Sequence, residues 1–195
     1  CHQHHRWGAA CDAVDGRDKL PSKFEFMVDR KSMLSDFGRL MTDSECACAI
    51  SHQLVYQRIL NSGLKGAVVL EDDVHWSAEA SLALRALEPG SVDFLQLDYG
   101  YADVWRFMPK RWLVPKCVRT ARLSKNSGLT SAYVISRKGA KHINSNGVPL
   151  KCPADWPCSL KPLKPQITIP RVCWHDGSGV EDSSLEENRQ RVKAS

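Results

Sequence analysis

Apolar and polar residues along the middle of the chain fall into blocks that predict helices alternating with strands. Thr42 and Glu45 form a capping-box pattern, and an apolar stripe at helical spacing follows it and ends at a glycine. Residues 66–70 are a short apolar run typical of a buried strand. A second helix is predicted at about residues 77–87 and a second buried strand at residues 92–97. This order predicts a three-layer α/β domain with a mostly parallel sheet.

The next part of the chain is less regular. Residues 98–127 are aromatic, basic and poorly periodic, which is typical of a binding loop or lid. A further strand is predicted at residues 130–135. Ser136 then acts as the N-cap of a helix that reaches about residue 144.

Composition favours one folded domain. The hydrophobic fraction of 43% is adequate for a single core, which we expect within residues 1–175. The chain is rich in proline from residue 148 onward, and residues 176–195 are polar enough to predict a mobile tail. No apolar stretch approaches the ~20 residues of a membrane span. The chain starts at Cys1 rather than at a methionine, which leaves open whether the true beginning of the protein, with any targeting segment, precedes it.

The formal net charge is +5, and basic residues concentrate between positions 106 and 141. Much of this charge is expected to be a solvated face, but the excess favours phosphate-rich partners such as a phosphorylated donor or an anionic membrane. No nucleic-acid-binding motif with interleaved aromatic residues accompanies it, so we do not expect nucleic acid as a partner. The basic charge favours peripheral association with a membrane that carries glycolipid acceptors.

Eight cysteines are many for a cytosolic enzyme and few for a disulfide scaffold. Cys46 and Cys48 lie two residues apart in a predicted helix, where their side chains diverge and cannot pair. Cys152 and Cys158 could close a small loop in an oxidising compartment or stay free in a reducing one. No pair has the loop spacing of a structural zinc site, so the cysteine spacing does not predict one.

The strongest candidate for chemistry is the end of the strand at residues 66–70, where Glu71, Asp72 and Asp73 follow one another. At ~4 Å each like-charged pair costs about 1 kcal/mol in bulk water and more near a low-dielectric surface, so a cation should relieve the repulsion. Mg²⁺ or Mn²⁺ bound to carboxylates and substrate phosphates is a common arrangement. Alternatively, the strand simply ends there and the acids are solvated or favour the dipole of the next helix.

Five segments follow one another over about residues 11–158. They are Ala13-Val14-Asp15-Gly16, Glu45-Cys46-Ala47-Cys48-Ala49-Ile50-Ser51-His52, Val69-Leu70-Glu71-Asp72-Asp73-Val74, Ser131-Ala132-Tyr133-Val134-Ile135-Ser136-Arg137-Lys138-Gly139-Ala140 and Pro153-Ala154-Asp155-Trp156. Together they resemble the ordered motifs of glycosyltransferase family 25, which includes bacterial lipooligosaccharide galactosyltransferases and collagen galactosyltransferases. Several motifs in one order make this resemblance more specific than any single motif.

The resemblance implies a GT-A type, Rossmann-like nucleotide-sugar transferase domain that works in lipopolysaccharide or other glycan biosynthesis. Such an enzyme would be an inverting hexosyltransferase whose donor is a UDP-sugar, most simply UDP-galactose. Mn²⁺ or Mg²⁺ would hold the donor diphosphate, and the acceptor would be a glycan, a glycolipid or a glycoprotein. Among the carboxylates, Asp73 is the expected direct metal ligand, Glu71 a second ligand and Asp72 a donor-binding residue. His175, near the end of the chain, is the expected last metal ligand.

The same resemblance assigns further site residues. Asp155 is the expected catalytic base for the acceptor hydroxyl, although a loop carboxylate that caps a turn is an equally simple interpretation. Ser51 and His52 are expected to bind the donor, with His52 alternatively a satisfied core residue and Cys48 a packing residue. Tyr133 is expected to line the sugar pocket, although an aromatic residue in a strand is usually part of the core.

The sequence departs from the family pattern in two places, and two other classes of protein are compatible with it. The family normally begins with an Arg-rich strand that helps to form the nucleotide pocket, and this chain starts after it. The segment around Asp155 is flanked by Cys152 and Cys158, which could constrain it. A non-catalytic GT-A-like module that binds a glycan or a protein is the main alternative, and a metal-dependent phosphohydrolase is a third. The compartment is open too, since the cytoplasmic face of a bacterial membrane and the ER or Golgi lumen are both compatible.

Overall fold

The computed structural model of the chain describes residues 13–16, 19–36, 38–88, 90–108, 110–125, 127–155 and 157–175. The α-helices in these ranges are α1 (Arg30–Asp36), α2 (Asp43–Asn61), α3 (Ala78–Ala86) and α4 (Arg137–Asn146). The strands are β1 (Gly66–Leu70), β2 (Val74–Trp76), β3 (Phe94–Gln96), β4 (Arg111–Val114), β5 (Val118–Arg122), β6 (Ala132–Ser136), β7 (Gln166–Ile169) and β8 (Cys173–His175). Two short 3-10 helices cover Ser22–Met27 and Lys161–Leu163.

The helix starts follow from side-chain caps that are legible in the sequence. The Thr42 hydroxyl accepts the backbone N–H of Glu45 at 3.1 Å, and the Glu45 carboxylate accepts the backbone N–H of Thr42 at 2.9 Å. This capping box begins α2 as predicted. Ser77 caps α3 and Ser136 caps α4 through their hydroxyl groups in the same way.

The main sheet has six strands in the order β1-β6-β3-β7-β5-β4. Strand β6 runs antiparallel to both β1 and β3, β5 runs antiparallel to both β7 and β4, and only β3 and β7 pair in parallel among the described strands. The prediction of a mostly parallel sheet is therefore wrong. Strands β1 and β3 run in the same direction, because both are antiparallel to β6. They are not neighbours, since β6, which comes later in the chain, lies between them. A further pair, β2 with β8, is antiparallel.

Helices cover both faces of the sheet, and β6 lies at the centre. Tyr133 and Ile135 on one face of β6 pack in a cluster with residues of α2 and α4. Ala132 and Val134 on the other face pack in a cluster with residues of α3. All residues of β6 are buried for this reason. The structure is thus a mixed α/β fold with helices above and below a central sheet.

The segment at residues 98–127, expected to be irregular, contains the antiparallel hairpin of β4 and β5. Lys116 has φ of 59° between these strands, a turn conformation that hydrophobic periodicity does not report. Cys152 and Cys158 are free thiols. None of the helices in the described ranges has the length and apolarity that a membrane span requires. The predicted tail at residues 176–195 lies outside the described residues.

Candidate functional site

Glu71, Asp72 and Asp73, the three carboxylates after β1, do not all lie in the same environment. Glu71 turns inward, and its Oε1 lies 3.2 Å from Nε2 of His52 on α2. Its backbone N–H donates to the carbonyl of Ser131 at 2.8 Å, which continues the β1–β6 ladder beyond the strand end. Asp72 and Asp73 form a turn and are exposed, and neither has a hydrogen bond or ion pair within the described part of the chain. The three predicted acids therefore occupy two different environments.

His52 is held from both sides. Its Nδ1 lies 2.8 Å from the hydroxyl of Tyr133 on β6, and that hydroxyl donates to the hydroxyl of Tyr56 at 3.0 Å. Burial raises the pKa of both Tyr56 and Tyr133 well above the ordinary tyrosine value, so these hydroxyls stay protonated. Tyr133 is fully buried, and its hydroxyl contacts His52 rather than an open pocket.

Asp155, in the loop that follows α4, lies near Glu71 and His52. Thr130 joins it to the triplet, since Oγ1 of Thr130 lies 3.4 Å from Oδ1 of Asp155 and 3.4 Å from Oε1 of Glu71. Burial, followed by the negative charge of Glu71, raises the pKa of Asp155, while the backbone N–H of Leu129 and the His52 ring oppose the rise. A carboxylate that holds its proton more tightly than usual is a stronger base.

Gln96 of β3 holds the loop that carries Thr130 through hydrogen bonds. The buried amide of Gln96 donates to the carbonyl of Leu129 at 2.8 Å, and the Ser127 hydroxyl donates to the same amide group. Leu129 has φ of 78°, which is rare for a residue with a side chain, and Gly128 precedes it. The anchored loop presents its N–H and its threonine hydroxyl to Asp155.

A second buried cluster lies at the end of β3. Asp98 is fully buried, and its Oδ2 accepts hydrogen bonds from Oγ of Ser131 at 2.6 Å and from Nδ1 of His175 at 2.8 Å. Its Oδ1 faces the guanidinium of Arg171 at 3.3 Å, an ion pair without the alignment of a hydrogen bond. Strand β8 sets His175 opposite Val74, directly after the exposed carboxylates. The Nε2 atom of His175 makes no hydrogen bond to the rest of the described chain.

The remaining predicted residues serve different contacts. The Ser51 hydroxyl accepts the backbone N–H of Val14 at 2.8 Å and donates to the carbonyl of Ala47, so it ties the segment at residues 13–16 to α2. In that segment a Cβ on Gly16 would lie 2.5 Å from Cβ of Ala47, so only glycine fits there. Glu45 faces away from the site and pairs with Arg39 at 2.6 Å.

Cys48 lies one helical turn before His52 and faces the same cluster. The ligand atoms of Cys48, His52 and Glu71 all lie within 4.8 Å of one another. Burial, followed by the charges of Glu71 and Asp155, raises the pKa of Cys48 to about 12. The thiol is therefore neutral in the absence of a cation.

The sequence argument missed Asp98, Thr130 and Tyr56. Asp98 had a signal, because it follows a buried apolar run in the same way that Glu71 follows β1. Thr130 and Tyr56 had none, since a loop threonine and a helical tyrosine are common and only the tertiary structure brings them to Glu71 and His52.

The fold and the site together define an α/β protein with carboxylates and histidines gathered at strand ends. A family model described as glycosyltransferase family 25, an LPS biosynthesis protein, matches residues 3–156. The chain belongs to glycosyltransferase family 25, which confirms the resemblance that the sequence motifs carried.

Two mammalian proteins and one bacterial protein illustrate the relatives. The bovine "Probable inactive glycosyltransferase 25 family member 3" is 30% identical over 140 residues, which cover 70% of this chain and 24% of the bovine protein. The mouse "Inactive glycosyltransferase 25 family member 3" is 28% identical over 68% of this chain and 23% of its own length. The Haemophilus influenzae protein named "Putative glycosyltransferase" is 24% identical over 90% of this chain and 64% of its own length. The chain thus spans about a quarter of the length of these mammalian relatives.

Proposed function

We propose that this chain is a GT-A type domain that transfers a hexose with inversion from a nucleotide-sugar, most simply galactose from UDP-galactose. The acceptor is a hydroxyl group of a glycan, a glycolipid or a glycoprotein, and Mn²⁺ or Mg²⁺ assists the transfer. The observation that carries the proposal is the convergence of Asp155 with Glu71 and His52 at the end of β1, beside the exposed Asp72 and Asp73. Family membership supports glycosyl transfer, and the site supports metal assistance and base catalysis.

The donor set fits a hard divalent cation. Asp72 and Asp73 offer exposed carboxylate oxygens without partners in the described part of the chain, and oxygen ligands are those that Mn²⁺ and Mg²⁺ prefer. Asp73 is adjacent to the strand pair that carries His175, and Asp98 holds Nδ1 of that ring. A histidine that donates one ring N–H to a carboxylate is oriented to bind a metal with its other nitrogen. When bound, the cation would neutralise the charge that develops on the leaving diphosphate.

Asp155 supplies the base for the acceptor. Inversion by a single displacement requires that the acceptor hydroxyl lose its proton as its oxygen attacks the anomeric carbon, while the nucleoside diphosphate leaves from the opposite face. The raised pKa of Asp155 suits this proton transfer. Thr130 and the N–H of Leu129 orient the carboxylate, and Glu71 with His52 forms the polar wall beside it.

The basic residues near the hairpin of β4 and β5 support an anionic partner. Arg106, Lys110, Arg111 and Lys116 are exposed there, together with Trp105 and Trp112. Aromatic and basic side chains on one segment suit either a sugar-bearing acceptor or an anionic membrane face that presents a glycolipid. We therefore include peripheral membrane association in the proposal.

The alternative function is a non-catalytic module of the same fold that binds a glycan or a protein. The names of the mammalian relatives favour it, because both contain the word inactive. The intact carboxylates favour catalysis, because a module that does not bind a cation has no need for such costly charge proximity.

Calorimetric titration of UDP with and without Mn²⁺ tests the proposal first, and release of UDP from UDP-galactose with glycan, glycolipid and hydroxylysine acceptors tests it second. Mn²⁺-dependent binding followed by acceptor-dependent release supports the transferase. Binding without release in the presence of every acceptor supports the non-catalytic module. Absence of UDP binding under either condition overturns the donor site.

A further inference from the structure

Cys48, His52 and Glu71 bring together one thiol, one imidazole and one carboxylate. Cys48 and His52 project from successive turns of α2, and Glu71 approaches from the end of β1. Their ligand atoms lie within 4.8 Å of one another, and Nε2 of His52 is 3.2 Å from Oε1 of Glu71. The side chain of His52 is 8% exposed, whereas that of Glu71 is 37% exposed, so the cluster is closed on the α2 side and open beside Glu71.

Both ring nitrogens of His52 have a polar neighbour, the hydroxyl of Tyr133 at Nδ1 and the carboxylate of Glu71 at Nε2. When Tyr133 donates its proton to Tyr56, Nδ1 of His52 donates to the hydroxyl of Tyr133. In that tautomer Nε2 carries the lone pair with which the ring can bind a metal ion beside Glu71. Asp155 adds a further carboxylate nearby, joined through Thr130.

We propose that Cys48, His52 and Glu71 bind a zinc ion, with Nε2 of His52, Sγ of Cys48 and a carboxylate oxygen of Glu71 as its protein ligands. The Cys48 thiol releases its proton to solvent when the ion binds. Three protein ligands leave one tetrahedral position for a water molecule, which is the composition of zinc sites with an open position. The site does not depend on the proposed transferase activity.

The chemistry of the donors selects zinc over the metals proposed for the exposed carboxylates. Thiolate and imidazole ligands suit Zn²⁺, whereas Mn²⁺ and Mg²⁺ prefer oxygen. The residues proposed above for Mn²⁺ or Mg²⁺, which are Asp72, Asp73 and His175, include no sulfur ligand. We therefore expect zinc rather than Mn²⁺ or Mg²⁺ at Cys48, His52 and Glu71.

Tyr133 provides the outer contact that a metal-binding histidine normally has. Its hydroxyl contacts Nδ1 and so orients the ring of His52, and Tyr56 in turn holds the hydroxyl. Both tyrosines are almost fully buried, so this support is rigid. The competing explanation of the cluster is a direct hydrogen bond between His52 and Glu71 with no metal ion, and with Cys48 as a packing residue.

Cobalt substitution distinguishes the two explanations. The protein is the full chain in which Cys1, Cys11, His2, His4 and His5 are changed to alanine, because that part of the sequence offers metal ligands of its own. After treatment with a chelator, Co²⁺ is added alone and then displaced with Zn²⁺. We expect Co²⁺ to bind in an amount equimolar with the protein and to give a thiolate-to-metal charge-transfer band in the near ultraviolet. The band should disappear when zinc displaces the cobalt. A spectrum without that band overturns the proposal.

Three variants locate the sulfur and the outer contact. Cys48→Ser should abolish the band, whereas Cys46→Ser, which changes a buried cysteine of the same helix that is not part of the Cys48, His52 and Glu71 cluster, should keep it. Tyr133→Phe should keep the band and weaken zinc binding about tenfold to a hundredfold. A band that persists in Cys48→Ser, or that is lost in Cys46→Ser, contradicts the assignment. If circular dichroism shows that Cys48→Ser does not fold, an unchanged zinc affinity in Tyr133→Phe overturns the proposal instead.

Discussion

Two acidic regions of the molecule begin at neighbouring residues and differ in nearly every physical respect. The inner region, Glu71 with Asp155, is surrounded by hydrogen-bonding partners from α2, the loop before β6 and the loop after α4. The outer region, Asp72 with Asp73, is exposed and lacks partners within the described residues. The carboxylate of Asp155, which the protein itself holds through Thr130, is suited to moving a proton, whereas the exposed carboxylates of Asp72 and Asp73 are suited to binding a hard cation such as Mn²⁺.

The difference teaches where each part of the proposed reaction takes place. A residue whose pKa is shifted by burial and by a neighbouring charge is a candidate for acid–base chemistry. A carboxylate that binds Mn²⁺ or Mg²⁺ together with a donor diphosphate instead needs access from solvent and free oxygen lone pairs. Single substitutions that remove one region and spare the other test this division.

Asp155→Asn should have the largest effect on activity. Because the amide cannot accept the proton, we expect acceptor-dependent UDP release to fall about 10²- to 10⁴-fold. Mn²⁺-dependent UDP binding should be unchanged, because the outer region is intact, and calorimetry measures it. An equal loss of UDP binding would contradict the division into two regions.

Asp155 also gives stability a predictable dependence on pH. Its pKa in the folded protein is raised above the ordinary value of 3.8, so the folded state binds this proton more tightly than the unfolded state. Its contribution to the free energy of unfolding is therefore largest below pH 3.8 and declines as pH rises through the folded pKa. Activity should rise over the same interval as the base ionises. Urea unfolding of wild type and Asp155→Asn should differ in slope against pH within this window alone.

Asp73→Ala should have the next largest effect, on binding rather than on proton transfer. We expect Mn²⁺-dependent UDP binding to weaken by more than about a hundredfold, or about 3 kcal/mol, while the fold stays intact because the side chain is exposed. Asp103→Ala is a matched control, since Asp103 is exposed and only pairs with Lys125 at 3.6 Å. Unchanged binding in Asp73→Ala would remove this residue from the metal site.

Asp98→Asn should have a smaller effect on the outer region through His175. We expect Mn²⁺ affinity to fall about tenfold, because the amide orients the imidazole less well than the carboxylate. Ser131→Ala removes another partner of Asp98 without touching His175, so it should leave Mn²⁺ affinity nearly unchanged. Similar losses of affinity in both variants would show that the cluster acts through stability instead.

Thr42→Ala should have the smallest effect, and the effect should be on stability rather than on either acidic region. Loss of the capping box costs about 1 kcal/mol of stability, measured by urea unfolding. UDP binding should be unchanged, because His52 is held by Tyr133 and Glu71 rather than by the start of α2. A loss of UDP binding larger than the loss of folded protein would show that the helix start positions the site.

Local patterns predicted the elements well where the signal lies in neighbouring residues. The Thr42 capping box, the Ser136 cap, the approximate position of α3 and the strand β1 follow from spacing of a few residues. The sheet order could not be predicted in the same way, because the insertion of β6 between β1 and β3 depends on pairing between distant segments.

The site shows the same limit. Motif order identified Glu71, His52 and Asp155, and the structure brings these side chains together through Thr130 and the pairing of β1 with β6. Their roles stay predictions. No local pattern indicated that Glu71 would turn away from Asp73, because the direction of each side chain after a strand end depends on the turn and on the partners that surround it.

The dipeptide Thr130-Ser131 contacts both carboxylates of the inner region and also the buried Asp98. Thr130 lies against Glu71 and Asp155, while Ser131 accepts the backbone N–H of Glu71 and donates to Asp98, which holds His175. Two adjacent residues therefore connect the carboxylate that holds His175 with the proposed base Asp155. For a transferase built this way we expect a compulsory order of substrates, in which the nucleotide-sugar enters first and prepares the site for the acceptor.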